Sequence, residues 1–420
     1  MDSCGFPLAT VLVDGRAAGE PFRGEAASGS QAKAWVSAAE AVAAASRSPA
    51  DPPRRIKSLA RDGIPPALRG HLWPALSGGA ALQAAAGAGA YEALLARHGL
   101  LAPAADPEAW DVLPSHPAVG GREGAAAVRR LALATAASRG MLHPPRPLAM
   151  LAGFLLAVMG LSREEAAYWT LAGLLAHRLP RDFYDADMAG AALEQGVMHI
   201  LLQARRPAVW ERVAGKHAGV GPGPGCQARP DRDWVACLFI NALPPDTTAR
   251  VFDCLMVEGV KVLHRMALAL CTLHSSAVLA CVGDRAAPAV LRWRVAHTTD
   301  ADALVRCAFR GVGTLTRAGL LTLRAAQQRD MHAAEASAAA RLARLVARKA
   351  PSEGAGDARS AASAATSSCA TPPTSADSAG TAGAAEGASP RRTQAAALRL
   401  LLARPQLVTR LAASVQGARG

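Results

Sequence analysis

Aromatic side chains are scarce, with 7 Trp, 3 Tyr and 7 Phe in 420 residues. Packing must therefore rest on Ala, Leu and Val, and alanine suits helix against helix while adding little to a sheet. That argues against a sheet-dominated fold. Lysine is nearly missing: Lys33, Lys57, Lys216, Lys261 and Lys349 are all there is, so arginine carries the formal charge of +13. The arginines are scattered, with no block of five or six. An Ala/Arg/Gly-rich, Lys-poor chain also follows from a GC-rich coding sequence. The charge alone therefore selects no nucleic-acid, membrane or acidic partner.

No two of the eight cysteines stand at C-x2-C or C-x4-C spacing, so no zinc site is signalled. Cys237, Cys254 and Cys271 lie in apolar, helix-like stretches and read as small buried hydrophobes of a reducing compartment. His71, His143, His199, His264 and His274 form no ligand spacing with them. No G-x-S-x-G or H-E-x-x-H occurs, and neither a metal nor another cofactor is implied. Met1–Gly5 lacks the basic n-region and apolar run of a signal peptide, and Asp2, Asp14, Glu20 and Glu25 speak against a transit peptide. Leu148–Leu161 is too short to span a bilayer, and Val262–Val282 carries His264, Arg265 and His274; both read as core helices.

What is present is a long apolar region of helical period. Hydrophobic residues make up 51% of the chain, enough for a sizeable core, and the mean hydropathy of +0.13 argues against a mostly disordered chain. Leu193, Val197, Ile200 and Leu201 share one helix face; Phe252, Leu255, Gly259, Val262, Met266, Leu270 and Leu273 share another. Punctuation falls at Gly63–Pro66, Leu179-Pro180 and Leu243–Pro245. The fold class is all-α. The expected order is an N-terminal extension over 1–50 with one helix near Ala32–Ala45, a multi-helix domain over 51–335, and a helical extension over 336–350. A disordered Ala/Ser/Thr/Gly-rich linker over 351–391 and a short amphipathic helix over 392–416 come last. Within the domain, Gly215–Pro230 is a flexible insertion, not a phosphate loop: prolines interleave its glycines, no strand precedes it, and His follows Gly215-Lys216.

Two runs carry the information. Arg61-Asp-Gly-Ile-Pro-Pro-Ala-Leu-Arg-Gly-His-Leu-Trp73 reads as a turn entering a helix. Pro65 and Pro66 suit its first turn, and Arg69 and Trp73 lie four apart on one face. The second run is Trp234-Val-Ala-Cys-Leu-Phe-Ile-Asn-Ala-Leu-Pro-Pro245, with Arg250-Val-Phe-Asp253 and Glu258-Gly259 after it. Together they resemble the TBC domain of Rab-family GTPase activators, whose pattern is R-x-G-I-P-x-x-x-R-x-x-x-W, then W-x-x-x-x-F-x-x-x-L-P, R-x-x-D and E-G. Phe154, Trp169 and Phe183-Tyr184 lie in intervening pieces that agree, and the likeness covers roughly residues 55–330. The resemblance implies a multi-helix TBC-type domain in which Gly63, Ile64, Pro65, Arg69, Trp73, Trp234, Pro244, Asp253, Glu258 and Gly259 are signature residues with structural roles. Arg69 and Asp253 are expected in buried polar contacts, and Trp73, Trp169 and Trp234 as core anchors.

It also implies chemistry done on a partner. Such activators supply an arginine finger, from I-x-x-D-x-x-R, and a water-orienting glutamine, from Y-x-Q-G; an arginine finger in trans is worth about 10³–10⁵ in rate. Here the first motif falls near Ala109–Pro117, where Asp111 and Ser115-His116-Pro117 fit but the arginine is absent. The second falls on Pro144-Pro145-Arg146-Pro147, so Arg146 occupies the glutamine position. A guanidinium donates and does not accept, so it cannot hold a water as an amide does. Arg122, Arg129 and Arg130 are geometric substitutes, with a solvated helix face as their plainer reading. The expectation is a cytoplasmic regulator in vesicle trafficking, not an enzyme in itself, with a GTP-bound Rab-type GTPase as partner. It is either an activator by family or a finger-less binding scaffold. Peripheral contact with endomembranes stays open. A basic nucleic-acid-binding protein is the remote alternative, against which stands the lack of a basic stripe with interleaved aromatics.

Overall fold

The computed structural model describes residues 29–47, 52–102, 110, 112, 119–214, 232–282 and 286–349. These residues contain helices and no strand. The insertion over 215–230, the linker over 351–391 and the helix over 392–416 lie outside them.

The described residues open with α1 (Gly29–Val36) and α2 (Ala39–Arg47), then α3 (Arg54–Asp62), α4 (Pro66–Ser77), α5 (Gly79–Ala86) and α6 (Ala90–Arg97). The single helix expected at Ala32–Ala45 is thus two. The break at Ser37-Ala38 lets Trp35 and then Ala38 and Val42 reach the core. Trp35 Nε1 donates to the Gly63 carbonyl at 2.9 Å, and α2 packs on α3, α4 and α5. Residues 29–47 therefore share one core with the helices beyond residue 51.

Helices α7 (Gly121–Ser138), α8 (Arg146–Met159) and α9 (Glu164–Gly173, continued by a π-helical turn over Leu174–Arg178) come next. α8 is buried almost all round, because its sequence after Pro147 is apolar on every face. No single described helix is long and apolar enough to cross a membrane; only α8 together with Leu161–Arg178, a pair bent by 111°, passes that test.

Helix α5 crosses α9 in close contact through two glycines. A Cβ on Gly79 would sit 2.0 Å from the Trp169 carbonyl oxygen, and one on Gly173 would sit 2.4 Å from the Gly79 nitrogen. Backbone cannot yield as a flexible side chain does, so Gly79→Ala must push the helices apart. We expect a loss of about 1–3 kcal/mol or more, read as a lower urea midpoint; an unchanged midpoint would show the crossing to be loose.

Helices α10 (Ala189–Arg205), α11 (Pro207–Ala214), α12 (Arg232–Ala236), α13 (Pro245–Glu258) and α14 (Lys261–Leu273) build the second half of the core. Phe252 of α13 joins the halves, tilted against Trp73 at 5.8 Å and Phe154 at 4.8 Å. The continuous face drawn from Phe252 to Leu273 is interrupted. Gly259 has φ +70, ends α13, and the Val260 N–H turns to the Arg178 carbonyl at 2.9 Å. Leu273, at the end of α14, is exposed. On α10 the buried face centres on Glu194, Val197, Met198, Leu201 and Leu202, while Leu193 and Ile200 are half-buried at its margins. Cys254 and Cys271 are buried in helices, and Cys237 is buried in the turn after α12.

Helices α15 (Ser275–Leu279), α16 (Ala286–Ala296), α17 (Ala301–Arg306, continued by a π-helical turn over Cys307–Gly311) and α18 (Arg317–Lys349) complete the described chain. One compact unit ends at Gln328.

Candidate functional site

The residues quoted from the two runs meet at one carboxylate. Asp253, fully buried on α13, accepts from Arg69 Nε and Nη2 (both 3.2 Å), Trp73 Nε1 (3.0 Å) and the Ile64 N–H (3.1 Å). Arg250, one turn earlier, stands 3.7 Å from the same carboxylate and pairs with Asp302 at 2.8 Å. The reason lies in the sequence. Gly63 closes α3, Pro65 caps α4, and Pro66 starts it, so Arg69 and Trp73 leave the same face of α4 toward α13.

A second carboxylate works alongside. Glu258 accepts from Arg61 Nε at 2.7 Å and pairs with Lys261 at 3.1 Å, while the Arg61 guanidinium lies 4.2 Å over the Phe309 ring. Burial pushes the Glu258 carboxyl upward, but Arg61 and Lys261 outweigh it and hold it below its ordinary value. A carboxyl lowered on folding stabilises above its unfolded value, near 4.3, and loses that contribution as pH falls through the lower folded value. Acid unfolding monitored by circular dichroism should therefore show stability falling below about pH 4–5, and less steeply in Glu258→Gln. Equal slopes would contradict the assignment. Trp234 is buried with its ring tilted on Phe239 at 5.7 Å, and Pro244 caps α13, its carbonyl accepting the Thr248 N–H at 2.8 Å. Apart from the exposed Asp302, these groups are buried or half-buried in the scaffold.

The first finger position precedes α7 in sequence, and the second falls at the start of α8. Asp111 and Leu113–Pro117 lie outside the described residues; Trp110 and Val112 are half-buried against the core. Arg146 is the first residue of α8, exposed, with Pro145 as cap and Pro147 following. A cation there faces the positive end of the helix dipole, which favours a side chain turned outward. The substitutes divide. Arg129 donates to the carbonyls of Leu100 (3.2 Å) and Ala102 (2.9 Å). Arg130 is bidentate to Glu164 (2.9 and 2.6 Å), and Glu164 also accepts from the Tyr91 hydroxyl at 2.8 Å. Both are half-buried, and both guanidiniums are hydrogen-bonded within the domain. The Tyr91 hydroxyl is pushed well up by burial and by Glu164, so it stays protonated and donating. Arg122, in the first turn of α7, is exposed. No Gln or Asn occurs anywhere between Gln83 and Gln195, so this stretch of chain offers no amide side chain.

Residues 147–279 match the family model of the Rab-GTPase-TBC domain. Over that segment the chain is similar to the TBC-domain family. Growth hormone-regulated TBC protein 1-A of Danio rerio is 35% identical over 128 residues, which is 30% of this chain and 33% of that protein. Growth hormone-regulated TBC protein 1 of Homo sapiens is 33% identical over 129 residues, covering 31% and 35%. The matched segment thus spans about a third of the length of these curated relatives. A crystal structure of the Chlamydomonas flagellar RabGAP TBC domain superposes with a TM-score of 0.52 at 23% identity, over 68% of this chain and 95% of that one, and speaks for the fold. The domain here closes its core with a group that the motif reading did not include. Glu194 accepts from His264 Nε2 (2.8 Å) and Arg324 Nε (2.5 Å), with both Glu194 and His264 fully buried. A lone Glu inside the apolar face of α10 was the available signal.

Proposed function

We propose that this TBC domain is a regulator that docks a GTP-bound small GTPase of the Rab type without supplying the two catalytic fingers. One observation carries the proposal: the stretch that would provide the water-orienting amide contains none, and Arg146, a donor with no acceptor, stands in its place between two prolines. The commitment of Arg129 and Arg130 to Ala102, Leu100 and Glu164 supports the same reading, since an arginine finger needs a side chain able to reach the partner's phosphates. Docking is separable from catalysis, because apolar contacts and hydrogen bonds to the partner's switch loops need neither finger. The protein then acts on another protein's reaction and is not an enzyme in itself. Such a partner places it in the cytoplasm, in vesicle trafficking.

The test is binding of a Rab panel to the full chain, each GTPase loaded with a non-hydrolysable GTP analogue or with GDP. The proposal expects at least one Rab to bind in its GTP form more tightly than in its GDP form, and Arg146→Ala to leave the GTP hydrolysis rate of the mixture unchanged. A tenfold drop with Arg146→Ala would make that residue a working finger, and absence of nucleotide-selective binding across the panel would remove the docking reading.

A further inference from the structure

We infer that Ser37 is a phosphorylation site, and that its phosphate pins the α1–α2 pair to α3 through Arg55. Ser37 is exposed in the turn between α1 and α2, while Trp35 and Ala38 on either side are buried in the core. The two helices have 8 and 9 residues. Helices below about 12–15 residues are marginal alone in water. The segment can therefore open locally into the extended form that a kinase cleft takes.

Two observations point to a phosphate. The first is a receiving group. Arg55 Nη2 donates to Ser37 Oγ at 2.8 Å, so a guanidinium already stands where the new oxygens would be. Lys33, one turn earlier on α1 and exposed, adds a second cation, and the positive end of α2 follows at Ala39. The second is the sequence around the hydroxyl. Glu40 stands exposed at the third position after Ser37, which is the charge pattern that acidophilic serine kinases read. Ser-x-x-Glu is also the spacing of a capping box. Here, however, Ser37 Oγ donates back to the Ala34 carbonyl at 2.9 Å, and α2 starts two residues later. Ser162 and Thr299 share the spacing, but their acids are engaged: Glu165 accepts from Gln83 and the Trp169 indole, both at 3.0 Å, and Asp302 pairs with Arg250.

The step is a phosphoryl transfer, with Mg·ATP as donor and an acidophilic kinase as catalyst. The β–γ phosphoanhydride bond breaks and the Ser37 Oγ–P bond forms. The hydroxyl proton passes to the kinase's catalytic carboxylate, and ADP leaves. Ser37 then carries a charge of about −1.5 to −2 at pH 7 and three acceptor oxygens for Arg55. The pair so fastened covers the signature turn: Trp35 Nε1 and Gln31 Nε2 both donate to the Gly63 carbonyl, at 2.9 and 3.0 Å. Phosphorylation thus tightens the cover on the turn that sets α4. This site is independent of the GTPase proposal, and either can stand without the other.

Treatment of the folded full chain with a casein-type acidophilic kinase and Mg·ATP, followed by mass-spectrometric peptide mapping, tests it. We expect phosphate on the peptide containing Ser37, none there in Ser37→Ala, and loss of most of the transfer rate in Glu40→Gln. Hydrogen exchange over residues 29–47 should slow by about two- to fivefold on phosphorylation, the worth of an exposed charge pair. Arg55→Gln should accept the phosphate and lose that protection. Because Ser37, Glu40 and Arg55 are exposed, all three variants should melt as the unaltered chain does. Absence of phosphate at Ser37 in the folded chain, or transfer only after unfolding, would overturn the inference. So would undiminished transfer in Glu40→Gln, or equal protection in phosphorylated Arg55→Gln.

Discussion

Replacing Asp253 by alanine is expected to destabilise the fold by about 3–5 kcal/mol, the largest single effect among the signature residues. The carboxylate is fully buried and receives Arg69, Trp73 and the Ile64 N–H at 3.0–3.2 Å. Its removal takes the carboxylate partner from a guanidinium that is itself 3% exposed, and from an indole and a backbone N–H. The consequence differs from that of a surface ion pair, where solvent takes over at once. Arg69→Ala should also cost a few kcal/mol, yet the double variant should lose less than the sum, because both single changes remove the same Arg69–Asp253 contact. Urea denaturation of the two single variants and the double variant checks this. Melting temperatures within a degree of the unaltered protein, or strictly additive losses, would refute the hub.

Glu194→Ala is the second large effect, of the same order, about 3–5 kcal/mol. Glu194 lies on α10, His264 on α14 and Arg324 on α18, so one side chain fastens three helices. Burial pushes its carboxyl up, but the His264 and Arg324 interactions outweigh that and leave it lowered, hence ionised near neutrality. His264 Nε2 faces the carboxylate, and its Nδ1 has no hydrogen-bond partner among the described residues. Truncation would leave Arg324 and that imidazole facing a void. Gln327 of α18 rests on Gly196, where a Cβ would come within 2.4 Å, so the early turns of α18 should lose their docking together with the pair. Hydrogen exchange should show faster exchange over residues 317–328 in Glu194→Ala, with α3 and α4 little changed. Slow exchange preserved in that segment would contradict the role given to Glu194.

The signature hub was legible because its logic is local at each end. A Gly-Ile-Pro turn sets the start of α4, a four-residue spacing aligns Arg69 with Trp73, and Asp253 completes a pattern already met in the first run. The all-helical class came from alanine content and period. Other features depended on partners far along the chain. Glu194 looked like an interruption of an apolar face, and its partners stand 70 and 130 residues away. The seam at Gly259 was hidden because a glycine can continue a helical period as well as end it, and the Arg178 carbonyl that receives Val260 lies outside any local window. Arg129 and Arg130 had the spacing of a solvated face until Leu100, Ala102 and Glu164 were placed beside them. The finger positions were readable in the opposite sense, through residue types that are missing: Arg146 replaces an amide, and the stretch from Gln83 to Gln195 has no alternative.

Single-turnover hydrolysis of GTP by each member of a Rab panel, with and without saturating full-length protein, tests the central claim most directly. A finger-less docking domain predicts rates within about tenfold of the intrinsic value even for the Rab that binds, against the roughly 10³–10⁵-fold gain of a supplied arginine finger. Acceleration above about tenfold for any Rab would contradict the account and restore a catalytic role to the domain.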